Sequence, residues 1–329
     1  MLQSDLIQQH TQDLQAFWQA LVGGDAAAAQ QYLAEGFQYN GPHPINTLSG
    51  PVAFVEQFYM PLRTSFPDLR RTPDIQFGSE FEGNLWVCST GYFDGVFAAD
   101  WLGIPATGQP TGIRYGEFWR FAEGKISECV MILDIVDVMR QASFSVLQGY
   151  GGRPGRVPPP RAGDGLSVPD DAATAISLHL TEAMIYEGLM AYDGKTLESM
   201  HMVDYWTPDM KWYGPHPIGA CESLREFEDF HQRPFLEAFP DRKGGNHKVR
   251  VASGLYVAST GWPSIRATNL GDYLGVAATG KPITMRVMDW WRRDGDLLDE
   301  NWVFIDLIDL CLQMGVDVFA TMREQIAKS

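Results

Sequence analysis

Apolar positions over residues 5–35 recur at mixed three- and four-residue steps through Leu6, Leu14, Phe17, Trp18, Leu21 and Val22, and an Ala-rich run follows Gly23-Gly24-Asp25. This spacing predicts two helices. A third is predicted over Val52 to Thr64, where Phe54, Val55, Phe58 and Leu62 share a face, ending before Phe66-Pro67-Asp68. The pattern then changes to short β-type runs bounded by Gly, Pro or Asn: Leu85 to Phe93, Gly112 to Phe121 and Ile126 to Leu133. A short helix around Val136 to Ala142 closes the series. The order then returns, with helices over Asp170 to Met190, Gly194 to Met202 and Leu224 to Phe239, and strands over Val249 to Gly261, Ile283 to Arg293 and Leu297 to Ile305. A last helix is predicted over Leu307 to Gly315. Helices first and strands afterwards predict an α+β fold.

The return is also literal. Gly41-Pro42-His43-Pro44-Ile45 recurs as Gly214-Pro215-His216-Pro217-Ile218, and Leu102-Gly103-Ile104-Pro105-Ala106-Thr107-Gly108-Gln109-Pro110 as Leu274-Gly275-Val276-Ala277-Ala278-Thr279-Gly280-Lys281-Pro282. A spacing of 172 or 173 residues is far longer than a solenoid unit, so each copy is expected to be a domain with its own core. The expected division is a first domain over residues 1–147, a linker over 148–168 dense in Gly and Pro, and a second domain over 169–329.

Charge narrows the partners. Forty-one acidic residues against 25 basic ones give a formal net charge of −16, which repels phosphate backbones and anionic bilayers, so neither nucleic acid nor membrane is expected as a partner. The N-terminal residues lack a basic region followed by an apolar run, and a cytoplasmic protein is expected. Cys88, Cys129, Cys221 and Cys311 show no metal-type spacing and do not align between the copies, as expected of reduced packing residues. Five of the seven histidines fall in the second copy without ligand spacing, so no metal site is expected. There is neither a Gly-rich phosphate loop nor a Gly-x-Ser-x-Gly elbow.

One ordered set of residues resembles the SnoaL-like polyketide cyclases. In the first copy it is the turn Gly103 to Pro110, Arg114, Trp119-Arg120, Gly124-Lys125-Ile126 with Glu128, and Asp134; in the second it is Gly275 to Pro282, Arg286, Trp291-Arg292, Gly295 with Glu300, and Asp306. The resemblance implies two tandem nuclear transport factor 2-like cones, each with N-terminal helices packed into a curved, mostly antiparallel sheet around an apolar pocket. It also implies association through sheets, which a tandem chain could satisfy as an internal pseudo-dimer, with a homodimer as a further form. One departure stands out. Where the family usually has Gly-Thr-His-x-Gly, the chain has Gly91-Tyr92-Phe93-Asp94-Gly95 and Gly261-Trp262-Pro263-Ser264. Loss of that pocket histidine points away from a literal polyketide cyclase and towards a related acid–base activity, or none.

The resemblance implies that Asp134 and Asp306 are the acid–bases. A carboxylate at a strand end facing an apolar cone would be desolvated and its pKa raised towards neutrality; alternatively each simply caps the following helix. His43 and His216 lie on a loop held by two prolines, where an imidazole could share protons with the aspartates or bond a backbone carbonyl. Arg114 and Arg286 could stabilise an enolate, or pair with Glu117 and Asp289, or with Glu128 and Glu300. Tyr39, Trp101, Trp119, Trp212, Tyr213, Tyr273, Trp291 and Trp302 divide between core packing and an apolar pocket. These residues suit a cofactor-independent enzyme moving a proton next to a carbonyl: an aldol-type cyclase, an isomerase, or a related lyase or hydrolase acting on a small hydrophobic substrate. The alternative is a non-catalytic binding or assembly module holding an apolar ligand. A third reading makes one copy catalytic and the other its support.

Overall fold

A computed structural model of the chain describes residues 3–166 and 170–328. The termini and the expected boundary at 168 and 169 lie outside the described residues. Two compact units result: the first takes the described residues within Met1–Ser143 and Pro159–Ser167, the second those within Phe144–Pro158 and Val168–Ser329. The Gly/Pro-rich stretch is thus shared. Gly165 O accepts from Gln76 N at 2.9 Å in the first unit, while Arg153 and Ala220 exchange both backbone bonds, at 2.8 and 2.9 Å, in the second.

Each unit contains one six-stranded sheet. In the first unit β1 (Leu33–Asn40), β2 (Thr47–Ser49), β3 (Arg70–Phe81), β4 (Asn84–Val96), β5 (Pro110–Ala122) and β6 (Lys125–Leu133) take the order β2-β1-β6-β5-β4-β3. In the second, β7 (Trp206–Tyr213), β8 (Ala220–Cys221), β9 (Val249–Ser253), β10 (Tyr256–Thr268), β11 (Pro282–Asp294) and β12 (Leu297–Ile305) repeat it as β8-β7-β12-β11-β10-β9. Among the described residues only β1–β6 and β7–β12 are parallel pairs. The result is two α+β units of nuclear transport factor 2-like architecture.

The hydrophobic pattern locates β4, β5, β6, β11 and β12, the last coinciding with the expected Leu297–Ile305, but it misses β3 as well as the shorter β1, β2, β7 and β8. It merges β9 and β10, which are separated by a turn at Gly254 and Leu255. It also makes a helix of Gly194 to Met202, where there are only two 3-10 turns, Leu197–Met200 and Met202–Asp204. The third helix of each copy is interrupted by a π-turn, at Phe54–Tyr59 and at Glu228–Gln232. Such turns often occur at functional sites, because the extra residue rotates side chains off the regular helical face. Strand pairing shifts register in both sheets at the corresponding glycine, Gly91 or Gly261. A Cβ on Gly91 would lie 2.1 Å from Thr72 O, and one on Gly261 2.1 Å from Asn246 O, so only glycine lets the neighbouring backbone approach there.

All four cysteines are buried and unbridged, and burial pushes the Cys221 and Cys311 thiols up to about 12. No helix among the described residues is long and apolar enough to cross a membrane.

Candidate functional site

Strand parity decides which side chains enter each cone. On β11 the inward residues are Met285, Val287, Asp289 and Trp291; on β12 they are Asn301, Val303 and Ile305. All seven line a cavity of about 420 Å³ in the second unit, closed from the helical side by Met184, Ile185, Leu189, Phe227, His231, Gln232, Phe235 and Leu236. Pro240, Lys243 and Gly244, all exposed, mark its open end. The wall is mostly apolar, and among the described residues Asp289 is the one acid along it.

The Asp289 carboxyl is half-buried on the wall of this cavity. Desolvation raises its pKa from 3.8 to about 7, against a smaller lowering by the Asn301 amide, which also donates to Trp290 O at 3.0 Å. Beside it lies Ser259, its partner across β10 and β11. His231 is stacked on Trp212 with ring centroids 4.3 Å apart, and burial together with the Arg242 charge pulls its pKa down to about 3. His247 is pulled down to about 4 by burial and Arg250. Both imidazoles are therefore neutral at pH 7. His231 Nδ1, His247 Nε2 and both polar atoms of Gln232, a residue 4% exposed, have no hydrogen-bond partner. Unmet polar atoms in an apolar cavity are what a ligand with a few polar groups would satisfy.

The first unit fills the corresponding space. Glu117 stands on β5 where Asp289 stands on β11, but it forms an ion pair with Arg71, whose side chain is only 5% exposed. The Arg71 guanidinium lies 5.2 Å from the Trp18 ring and 4.9 Å from Tyr115. Trp119 packs on Phe17 and Trp18 at 5.3 and 5.8 Å. Counting along the repeat, Gly244 occupies the place of Arg71, Val287 that of Tyr115 and Asn301 that of Cys129. Removal of the arginine and the tyrosine opens the second cone and leaves its acid without a cation.

The residues singled out from sequence separate accordingly. Asp134 accepts from Asp137 N at 3.1 Å and Asp306 from Asp309 N at 3.2 Å, so each caps the helix that follows. Asp306 also pairs with Arg286 at 3.0 Å, and it does not line the cavity. Pairing of Arg286 with Asp289, and of Arg114 with Glu117, is overturned: residues three apart on a strand face opposite ways. Arg286 lies over the Trp262 ring at 4.7 Å, and Arg114 is buried in the field of Tyr92 and Asp134. His43 and His216 are half-buried, each before a cis proline, and His216 is not part of the cavity wall. Trp212 and Trp291 line the cavity, whereas Tyr213, Tyr273 and Trp302 do not. Trp302 donates to Pro158 O at 3.2 Å, and Tyr273 packs on Phe239 at 5.1 Å. In the first unit Tyr39 stacks on Phe58 at 5.0 Å and Trp101 packs on Phe66 at 6.2 Å. Among the described residues no three His, Cys, Asp or Glu side chains gather as a metal group would require.

Asp289, His231, Gln232 and Asn301 escape sequence reasoning as site residues. The signal for Asp289 is present in the repeat: an acid kept at one inward strand position while the arginine opposite it becomes glycine.

Comparison with known families matches residues 10–142 to the SnoaL-like polyketide cyclase model and residues 186–301 to the SnoaL-like domain model. Solved structures that the chain resembles include IdmH of Streptomyces antibioticus, at 18% identity over 40% of this chain and 97% of that one, with a TM-score of 0.35. A SnoaL-like polyketide cyclase of Agrobacterium tumefaciens matches at 19% identity over 39% and 94%, TM-score 0.33. An NTF2-like protein of Burkholderia thailandensis matches at 19% over 41% and 97%, TM-score 0.33. No curated protein sequence matches. The two family matches follow one another along the chain and fall one in each unit, so this protein belongs to the SnoaL-like family as two such domains in tandem.

Proposed function

We propose that the second unit is an acid–base enzyme acting on a small hydrophobic carbonyl compound, with Asp289 as the group that takes and returns the proton. The observation that carries this reading is a single carboxyl on the wall of an apolar cavity, with its pKa raised to about 7 by desolvation. A base of that pKa is half ionised at neutral pH and strong enough to draw a proton from carbon next to a carbonyl. The proton moves from carbon to the Asp289 oxygen, and the electron pair of the broken C–H bond passes to the carbonyl oxygen as an enolate. Gln232, whose amide nitrogen is unpartnered, can donate to that oxygen. Return of the proton to a different carbon is an isomerisation. Attack of the enolate on a second carbonyl, followed by proton transfer from Asp289 to the new alkoxide, is an aldol closure. Either course leaves Asp289 as it began.

The first unit is assigned a supporting role, because its inward acid is held by Arg71 and its interior is occupied by aromatic rings. The test does not depend on which product forms. Hydrophobic ketones, esters and lactones are incubated with the protein in D2O, and exchange at the carbon next to the carbonyl is followed by NMR. Exchange with the parent protein and a loss of about 10²- to 10⁴-fold with Asp289→Asn is expected. Exchange that persists in that variant at the parent rate would sink the assignment. No exchange across the panel would favour a ligand-binding module instead.

A further inference from the structure

The cavity has a second chemical pole. Arg242 lies along its wall towards the open end, half-buried, and burial pulls its pKa down to about 10. Its contacts are the Leu189 carbonyl at 3.1 Å, the Met200 sulfur at 4.0 Å, and the rings of Tyr192 at 5.3 Å and Phe235 at 5.9 Å. None is an acid. Other cations of the unit do meet an acid: Arg250 pairs with Glu182 at 2.6 Å, Arg286 with Asp306 at 3.0 Å and Lys211 with Glu222 at 3.0 Å. In a chain with 16 more acids than bases, a partly desolvated guanidinium left without a carboxylate is an unfilled requirement: burying it costs free energy that an anion would offset. The aromatic rings hold the guanidinium plane, and with Nη2 turned to Leu189 O and the Met200 sulfur the Nη1 side is left for an anion.

The same position in the first unit is Leu69, 2% exposed. Between the two units the cation has therefore moved: it sits inside the first cone, on Glu117, and at the mouth of the second, away from Asp289. That displacement frees the acid at the wall and creates an anion site at the entrance.

We infer that the occupant of the second cone is an amphipathic carboxylic acid, its apolar body among Trp212, Phe227 and Trp291 and its carboxylate on the Arg242 guanidinium. This rests on the reading of the cavity as the substrate site and adds the substrate's charge class. Such a compound meets the requirement a neutral ketone or ester leaves open, and its charged end keeps the remainder oriented towards Asp289.

The experiment compares two probes of nearly equal shape, 2-naphthoate and 2-naphthamide, by isothermal titration of the full chain at pH 6. There Asp289 is largely neutral, and His231 and His247 are uncharged. Parent protein is expected to bind naphthoate at least about tenfold more tightly than the amide, the size of one charge-assisted contact. Arg242→Met should remove the preference, with a melting temperature near that of the parent showing that the variant is folded; Arg242→Lys should keep part of it. Asp289→Asn should retain the preference, so the result stands whether or not Asp289 proves to be the base. Equal affinity of the parent protein for the two probes, binding of neither, or a preference that survives Arg242→Met would overturn the inference.

Discussion

Asp289 and Glu117 occupy the same inward position of their strands, and among the neighbours that differ the cation matters most. With Arg71 beside it, Glu117 is an element of packing; with Gly244 in that place, Asp289 is a titrating group. Two outcomes follow at this scale. Carbon-bound hydrogen exchange in the second unit should rise with pH through about 7 and then level, because only ionised Asp289 accepts the proton. Stability should move the other way. The folded pKa lies above the unfolded one, so the stabilising effect of the neutral form is full below pH of about 4 and is lost between about 4 and about 7, where the unfolded chain ionises and the folded one does not. Asp289→Asn removes that slope. Chemical denaturation at pH 8 should find it more stable than the parent by up to about 4 kcal/mol. Asp306→Asn should behave oppositely: it keeps an acceptor for the cap but weakens the pair with Arg286, so the melting temperature falls while exchange stays within a few-fold of the parent.

At the scale of elements, the long amphipathic segments are legible because period and face agree along them. The strands β5, β6, β11 and β12 appear in the hydrophobic pattern almost residue for residue. Elements set by tertiary context do not: β1 and β7 mix polar and apolar positions, and the residues after Gly194 resemble a helix yet form only 3-10 turns. The aspartates at the strand ends are correctly located as positions, and capping is one of the two readings open for them. What pattern alone misses is parity. Asp289 reads as a partner for Arg286, three residues away, although an odd spacing on a strand separates faces. Gly244→Arg tests the element-level account directly. A Cβ at Gly244 has nothing nearer than Ile265 at 3.9 Å, so the longer side chain can enter, fill the cavity and pair with Asp289. Naphthoate binding should then fall by at least about tenfold without loss of melting temperature, as measured by titration and calorimetry.

For the whole molecule, duplication gives two folds of one design with unequal interiors. Titration should find one naphthoate per chain. Arg71→Met in the first unit should destabilise that unit by about 3 to 5 kcal/mol, since it leaves Glu117 buried without its cation, and should leave naphthoate affinity in the second unchanged. The stretch between the repeated motifs has a different consequence. Composition marks residues 148–168 as a linker, yet within it Arg153 zips onto the short edge strand at Ala220, a Cβ on Gly152 would lie 1.9 Å from Ile218 O, and the Tyr150 hydroxyl accepts from Leu274 N at 2.8 Å. A protease must draw several consecutive residues into an extended, unpaired form before it can cut. Chymotrypsin should therefore leave the Tyr150–Gly151 bond intact in the folded chain, although a digest planned from sequence would begin there.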